Sequence, residues 1–453
     1  MLTPGRADRI VAERLAEALL FGDWEPATLA WTVRTMLGGH QWWMTDLADE
    51  LCLLFAEKPS GRVAELTDVI AYSTAFQGGA DDARRGGAPL RVVPLAPGAR
   101  PPDGVATIPA AWGLPAIRDA VELAAWLELS LGQLLWLADP GGYQLRTGPG
   151  PLHPYGYRWV TRGGRPPRLL EAPRPILKRV QRELLDRLLA RLPVHEAAHG
   201  FVAGRSVLTG VRHHLGAQVV LTVDLQDFFA SVGRGRLFGI LRHAGYGESV
   251  AQLLASLGTT STPGWVLRTM PAGGSDQDRY RLRRRLRQPH LPQGASTSPA
   301  LANLACFHLD RRLTGWAAAV GATYTRYADD LTFSGDARFN VASTSGVLRG
   351  IGRIVRDEGF AVNPSKTRVQ GRGQRQVVTG VVVNERPNVT RRQYDQLRAV
   401  LHEARTRGPT VANRSGHPDF RSHLAGRVAW VESLNPGRGR RLRADFDAIV
   451  WTG

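Results

Sequence analysis

Two adjacent aspartates, Asp329 and Asp330, sit inside "TYTRYADDLTFSG", between one aromatic, β-branched run and a second. Neighbours such as Tyr324, Tyr327, Leu331 and Phe333 favour buried strands, where adjacent carboxylates repel each other and cost free energy unless a cation offsets them. A third aspartate, Asp224, ends the apolar run of "VVLTVDLQDFF". Three carboxylates delivered by two strands suit Mg²⁺, a hard cation that prefers oxygen ligands. Two such ions roughly 3.5–4 Å apart activate an attacking hydroxyl and stabilise a leaving pyrophosphate. An Asp-Asp pair alone also suits an exposed hairpin turn, so the reading rests on the company the pair keeps.

The elements that must position these residues are legible from periodicity. Apolar spacing of three and four residues predicts helices over 6–22, 26–37, 41–57 and 62–75, and two more within 114–139. A Gly- and Pro-rich stretch at 78–104 reads as a loop or linker. "YGYRWVTRGGRPPRLLEAP" predicts a basic hairpin turning at Gly163-Gly164, with a helix from Arg174 to Leu192 behind it. "AQVVLTVDLQDFF" reads as a strand, "HLPQGASTSPALANL" as a loop entering a helix, and the opening stretch as a hairpin. "FAVNPSKTRV" reads as a loop into a strand, "RQVVTGVVVN" as a further strand, and the tail from 390 as helical and basic. Mixed strands and helices after 155 predict an α+β fold around an antiparallel sheet.

Charge identifies the class of partner. The 453 residues carry 58 Lys+Arg against 40 Asp+Glu, a net of +18. Residues 1–110 hold 10 Lys+Arg and 14 Asp+Glu, a net of −4, so the remaining 343 carry +22. A polyanion therefore belongs to the second part, and arginine's planar fork suits its phosphates. "RYRLRRRLR" (279–287) is the densest run; Arg283, Arg284 and Arg285 are its candidate phosphate contacts. Only Cys52 and Cys306 are present, which excludes a disulfide framework and fits a cytoplasmic setting. No run of 18 apolar residues and no basic-then-apolar leader is found, so neither a membrane partner nor secretion is expected.

"YADD" after an aromatic strand, "DLQDFF" about a hundred residues earlier and "LPQGASTSPALANL" between them form an ordered set that resembles the reverse transcriptases. From about Leu114 to Leu442 the chain looks most like the bacterial retron class, through "AHGFVAGRS", "NPSKTRV", "VVTGVVVN" and "LAGRVAWVESLNP". The resemblance implies a right-hand polymerase with fingers, an antiparallel-sheet palm and a helical thumb. The corresponding domains are an N-terminal helical module at 1–77, a linker at 78–112, fingers and palm at 113–385 and a basic thumb at 386–453.

It also implies roles. Asp224, Asp329 and Asp330 match the catalytic metal ligands, with the carbonyl of Leu225 adding an oxygen. Phe229 matches the aromatic gate against a ribose 2′-hydroxyl, and Gln293, Gly294 and Ser298 match the nucleotide-binding turn and the helix behind it. Arg168 and Arg174 match finger cations over the triphosphate, and Lys366 the lysine beside the leaving pyrophosphate. Val378, Thr379 and Gly380 form the retron-associated triplet. His214 keeps its place in an Asn-Ala-x-x-His pattern whose first two positions are here Gly210 and Val211, a departure that bears on partner-RNA recognition.

The implied function is RNA-directed DNA synthesis with two Mg²⁺ ions on a structured non-coding RNA. That RNA supplies both template and a 2′-hydroxyl primer, dNTPs are the substrates, and the product is a branched RNA–DNA in antiphage defence. An effector protein docking on the helical module is the expected protein partner. The rivals are another bacterial reverse transcriptase and a non-catalytic RNA-binding scaffold. An intron-encoded enzyme is expected to carry a maturase or endonuclease segment after the thumb, and a scaffold has no reason to keep three clustered carboxylates beside a polyanion.

Overall fold

The computed structural model describes residues 5–20, 24–37, 41–55, 58–59, 63–87, 89–92, 112–140, 142–336, 339 and 344–451. They form two compact units. The first comprises residues 1–195, 226–309 and 355–361, and the second residues 196–225, 310–354 and 362–453.

In the first unit, helices Arg6–Leu19, Pro26–Leu37, Trp43–Leu54, Val63–Tyr72 and Thr74–Arg85 close around one core. Leu15, Leu29, Trp43, Leu47, Leu51, Ile70 and Phe76 are buried there, and Trp43 meets Phe76 edge to face at 5.8 Å. The last helix crosses the expected boundary at residue 77. Gly78 and Gly79 signal a break in the sequence, but a Cβ on Gly79 would lie 2.2 Å from the Trp43 ring. Glycine is there to let the indole approach the helix, and Ser73 caps the helix by accepting from the Phe76 amide. The Pro/Gly-rich residues 93–111 lie outside the described residues. The N-terminal helices are not a detached module, because Arg6–Leu19 also contacts the helix Arg234–His243 of the same unit.

The same unit holds the hairpin of β1 (Tyr155–Arg162) and β2 (Arg165–Pro173), antiparallel and turning at Gly163-Gly164. Leu169 of β2 packs against Val266, Leu267, Met270, Leu282 and Leu286. The helix predicted over 174–192 ends at Arg187, and a 3-10 turn follows at Leu189–Arg191.

The second unit is built on a sheet of β3 (Val219–Leu225), β4 (Ala322–Tyr327), β5 (Asp330–Gly335) and β6 (Val362–Gly371). The order is β4-β5-β3-β6 and every neighbouring pair is antiparallel. "RQVVTGVVVN" is not one strand. It folds back as β7 (Val377–Val378) and β8 (Val381–Val382), with Thr379 at φ +46° and Gly380 at φ +82° in the turn. Two left-handed central residues match the right-handed twist of a tight hairpin, a geometry glycine tolerates and β-branched threonine resists. Helices Arg391–Arg407, Pro409–Ala412, Phe420–Leu434 and Pro436–Asp447 complete the unit. Leu397, Leu401, Leu424, Val428 and Leu442 share one core with Val220, Val378 and Val381. No single described helix is long and apolar enough to cross a membrane.

Candidate active site

Strand β3 is buried on both faces, and its pairing register brings the acidic residues together. Asp224 lies opposite Asp330 in the β3–β5 ladder. Tyr327 lies opposite Asp330 in the β4–β5 hairpin, so Ala328 and Asp329 are its two-residue turn. The Leu225 amide donates to the Asp329 carbonyl at 2.9 Å, which ties this turn to the end of β3. The three carboxylates thus occupy one end of the sheet, as their sequence context predicts.

Their electrostatics fit a cation site. Asp224 is 5 % exposed; its Oδ1 accepts from Lys366 Nζ at 2.7 Å and its Oδ2 from Asn363 Nδ2 at 3.1 Å. Burial, then the charges of Asp329 and Asp224, push the Asp330 carboxyl up to about 6, against the opposing pull of Lys366. Among the described residues no three acidic, histidine or cysteine side chains converge on a single metal point. Ions such as Mg²⁺ are generally held by one or two carboxylates together with substrate phosphates. The donor set and the crowding of negative charge therefore fit divalent metal, and Lys366 contributes the positive charge seen beside Asp224.

The turn is held from beneath by a buried ion pair that sequence reading overlooked. Arg326 Nε and Nη2 donate to the two Asp310 oxygens at 2.8 and 2.6 Å, and both side chains are fully buried. The Tyr324 hydroxyl adds a bond to Asp310 at 2.8 Å, and Arg326 Nη1 donates to the Ala328 carbonyl at 3.2 Å. Ala328 sits at φ +55°, a left-handed conformation that costs an L-residue roughly 1–2 kcal/mol. Gly200 leaves room for this turn, since a Cβ there would lie 2.7 Å from the Ala328 amide nitrogen. Arg326, the one charged residue of the strand "ATYTRY", was the available signal.

Other predicted residues separate into exposed and structural groups. His214 is fully buried; Nδ1 meets Ser334 Oγ and Nε2 meets Thr325 Oγ1, each at 2.7 Å. Burial, then the charges of His213 and His199, lower its pKa to about 3, so it is a neutral tie between β4 and β5 and not an RNA contact. Val378 is 2 % exposed in the C-terminal core, so only Thr379 and Gly380 of the triplet reach the hairpin tip. Trp430 is 41 % exposed and lines a cavity of about 420 Å³ with Leu397, His423 and Arg427.

In the first unit, the basic run forms the helix Asp276–Arg287. Arg285 faces inward: it donates to the Gln226 carbonyl at 3.0 Å and pairs with Asp227 at 3.7 Å, as Arg281 does at 3.5 Å. Arg284 is exposed and Arg283 half-buried, so those two remain available to phosphate. Phe228 is the core residue of its pair, stacked on Phe360 at 6.0 Å, whereas Phe229 is half-exposed. Gly294 is exposed at φ +137°, and a Cβ on it would lie 3.0 Å from the Glu171 carbonyl, which explains glycine there. Ser298 is 1 % exposed and donates to the Pro292 carbonyl at 2.7 Å, so it closes the turn instead of meeting nucleotide. Arg174 is exposed and donates to the Gly150 carbonyl at 3.1 Å, while Arg168 is half-buried on the β2 face opposite Leu169.

Comparison with known proteins places these features in context. Residues 164–382 match the family described as reverse transcriptase (RNA-dependent DNA polymerase). The chain is 41% identical over 339 residues to the retron Mx65 reverse transcriptase of Myxococcus xanthus, covering 74% of this chain and 72% of that protein. It is 39% identical over 354 residues to the retron Mx162 reverse transcriptase of the same organism, covering 75% and 69%. A solved foamy viral protease-reverse transcriptase in complex with double-stranded DNA shares 14% identity, covers 67% of this chain and 44% of that one, and gives a TM-score of 0.31.

The raised Asp330 carboxyl sets a direction for stability. Its folded value lies above its unfolded one, so the native state binds the proton more tightly. Metal-free stability therefore falls as pH rises from about 4 to about 6 and stays reduced above that. Asp330→Asn should stabilise the protein by roughly 1–3 kcal/mol in EDTA near neutral pH and by little near pH 4. Urea unfolding at the two pH values reads this, and a destabilised variant at neutral pH contradicts it.

Proposed function

This chain belongs to the bacterial retron-type reverse transcriptases and is an RNA-directed DNA polymerase, and on that premise we propose that Asp224, Asp329 and Asp330 are its catalytic carboxylates. The observation that carries the proposal is the direct pairing of Asp224 with Asp330 across β3 and β5, with Asp329 in the adjoining turn. Together with the Leu225 carbonyl they would hold divalent metal, proposed as two Mg²⁺ ions, which when bound lowers the pKa of the attacking hydroxyl and offsets charge on the leaving pyrophosphate.

The chain's own groups supply the rest. Asn363 orients Asp224 from β6, fixing which carboxylate oxygen faces the substrate. Lys366 holds Asp224 Oδ1, an oxygen for which a divalent ion would compete, and it is the proposed cation for the departing pyrophosphate. Phe229 excludes a ribose 2′-hydroxyl by contact. Gln293 and Gly294 offer backbone at close approach to the nucleotide, and Arg168 and Arg174 meet its triphosphate. Residues 113–385 are read as fingers and palm and 386–453 as thumb, with Arg283, Arg284, Thr379 and Gly380 toward RNA.

RNA-templated primer extension tests the assignment. Asp329→Asn should lower synthesis at least a hundredfold while the variant stays folded, since removing one ligand charge weakens the metal site. Near-normal extension contradicts the role. In the same assay Phe229→Ala should let ribonucleotides compete, read as the ratio of dNTP to rNTP incorporation. An unchanged ratio in a folded variant assigns the gate elsewhere.

The template is further proposed to be a structured non-coding RNA encoded beside the gene, primed from a 2′-hydroxyl to give branched RNA–DNA in antiphage defence, in the cytoplasm. Exposed apolar side chains on the N-terminal helices, Trp42, Leu53 and Leu54, make that part the proposed docking surface for an effector protein. Cells expressing the gene with its flanking sequence should yield DNA joined to RNA through a 2′ oxygen. Recovery of linear cDNA alone contradicts this reading.

A further inference from the structure

The Gln293–Gly294 turn is fastened to β2 by a buried charged pair that the polymerisation roles above leave unused. Glu171 of β2 and His290 are each about 1 % exposed, and His290 Nε2 meets Glu171 Oε2 at 2.9 Å. The Thr262 hydroxyl donates to the other carboxylate oxygen at 2.8 Å. Backbone bonds fix the surroundings: the Glu171 amide donates to the Gln293 carbonyl at 2.9 Å, and His290 and Thr260 exchange two bonds of 2.9 Å. Glu171 therefore touches the segment 290–294 twice, through its amide at Gln293 of the turn and through its carboxylate at His290 before it. Arg168 lies three residues earlier on the same strand.

The ring's surroundings fix its protonation. His290 Nδ1 lies 2.8 Å from the Gln288 carbonyl, which only accepts, and Nε2 faces a carboxylate. A neutral imidazole has one N–H and satisfies only one of these acceptors; the imidazolium satisfies both. Burial draws the His290 pKa down, but the charge and hydrogen bond of Glu171 and the Gln288 carbonyl outweigh it, so the value is raised. The other titratable groups facing Glu171 are Tyr155 and Tyr157 of β1. Burial raises both hydroxyls far above the working range, so they stay neutral. The remaining partners of the pair, Thr260 and Thr262, do not titrate.

We infer that Glu171 and His290 are a positioning pair that sets the Gln293–Gly294 turn against β2, and that nucleotide binding, not the chemical step, depends on His290 carrying its proton. The inference rests on the reading of that turn as nucleotide-facing. Its direction follows from linkage: a histidine with a raised folded pKa stabilises the native arrangement fully below its unfolded value and loses that contribution as pH rises through the folded one. Charge-assisted bonds are about twice as strong as neutral ones, so loss of the proton loosens the turn without emptying its core.

The test is steady-state extension by the full chain on poly(rA)·oligo(dT), with dTTP varied across the neutral-to-alkaline range. Glu171→Gln keeps the shape and the Thr262 bond, and its amide can donate to a neutral His290. It should raise KM for dTTP about five- to twentyfold with kcat within about threefold. Wild-type KM should climb with pH to meet the variant's value, and the variant's KM should stay flat. A role in folding alone would lower the melting temperature and the active fraction without moving KM or its pH profile. Gln293→Ala runs in parallel to test the underlying reading. If Gln293→Ala raises KM but Glu171→Gln leaves it and its pH profile as in wild type, the positioning role is overturned and the turn's role stands. If Gln293→Ala also leaves KM unchanged, the turn does not face nucleotide and the inference falls with that reading.

Discussion

Like charge confined to one end of a sheet whose central strand β3 is buried is the constraint from which the second unit is organised. Two unit charges about 4 Å apart repel by roughly 4 kcal/mol at an effective dielectric constant of about 20. The antiparallel register fixes Asp224 opposite Asp330. The structure answers with local compensation. Lys366 and Asn363 from β6 take the two oxygens of Asp224, and Asp330 holds its proton more tightly than an exposed carboxyl does. A site that costs stability in this way is ready for a cation, and the polyanionic substrates of an RNA-directed DNA polymerase arrive with cations of their own.

The turn that carries Asp329 is strained at Ala328, so it needs a rigid support. Arg326 and Asp310 provide it, fully buried and bidentate, with one guanidinium nitrogen reserved for the Ala328 carbonyl. Such a pair is weak evidence for stability as such, because desolvating both ions offsets most of their attraction. Its value here is geometric, since two hydrogen bonds and a fork fix direction as well as distance. His214 repeats the device in neutral form, bonded to Thr325 on β4 and Ser334 on β5. In the first unit Arg281 and Arg285 hold Asp227, whose φ of +49° marks another strained position just before the phenylalanine pair.

The sequence made the strands, the acidic constellation and most helices legible, because each has a period or a charge anomaly that local physics explains. Contexts that depend on tertiary partners were not legible. "VVTGVVV" has the composition of one continuous strand, and only the left-handed Thr379 and Gly380 reveal a hairpin. Gly78-Gly79 reads as a helix stop until the Trp43 ring is seen against it. His214, Arg285 and Ser298 are polar residues in functional neighbourhoods, which makes a ligand contact the natural reading, yet each is consumed by an internal partner. Sequence marks where polar groups are unusual; only packing tells whether substrate or protein satisfies them.

The central claim is that the three aspartates together hold divalent metal for polymerisation. Electron paramagnetic resonance of Mn²⁺ added to the full chain tests it most directly. The chain should carry an RNA template, a chain-terminated primer and the next dNTP. Wild-type protein should withdraw about two Mn²⁺ per chain from the free signal, with the broadening of a coupled pair. Asp224→Asn and Asp330→Asn should each lose the coupled pair while remaining bound to the template and primer. Undiminished coupled Mn²⁺ in either variant would contradict the account.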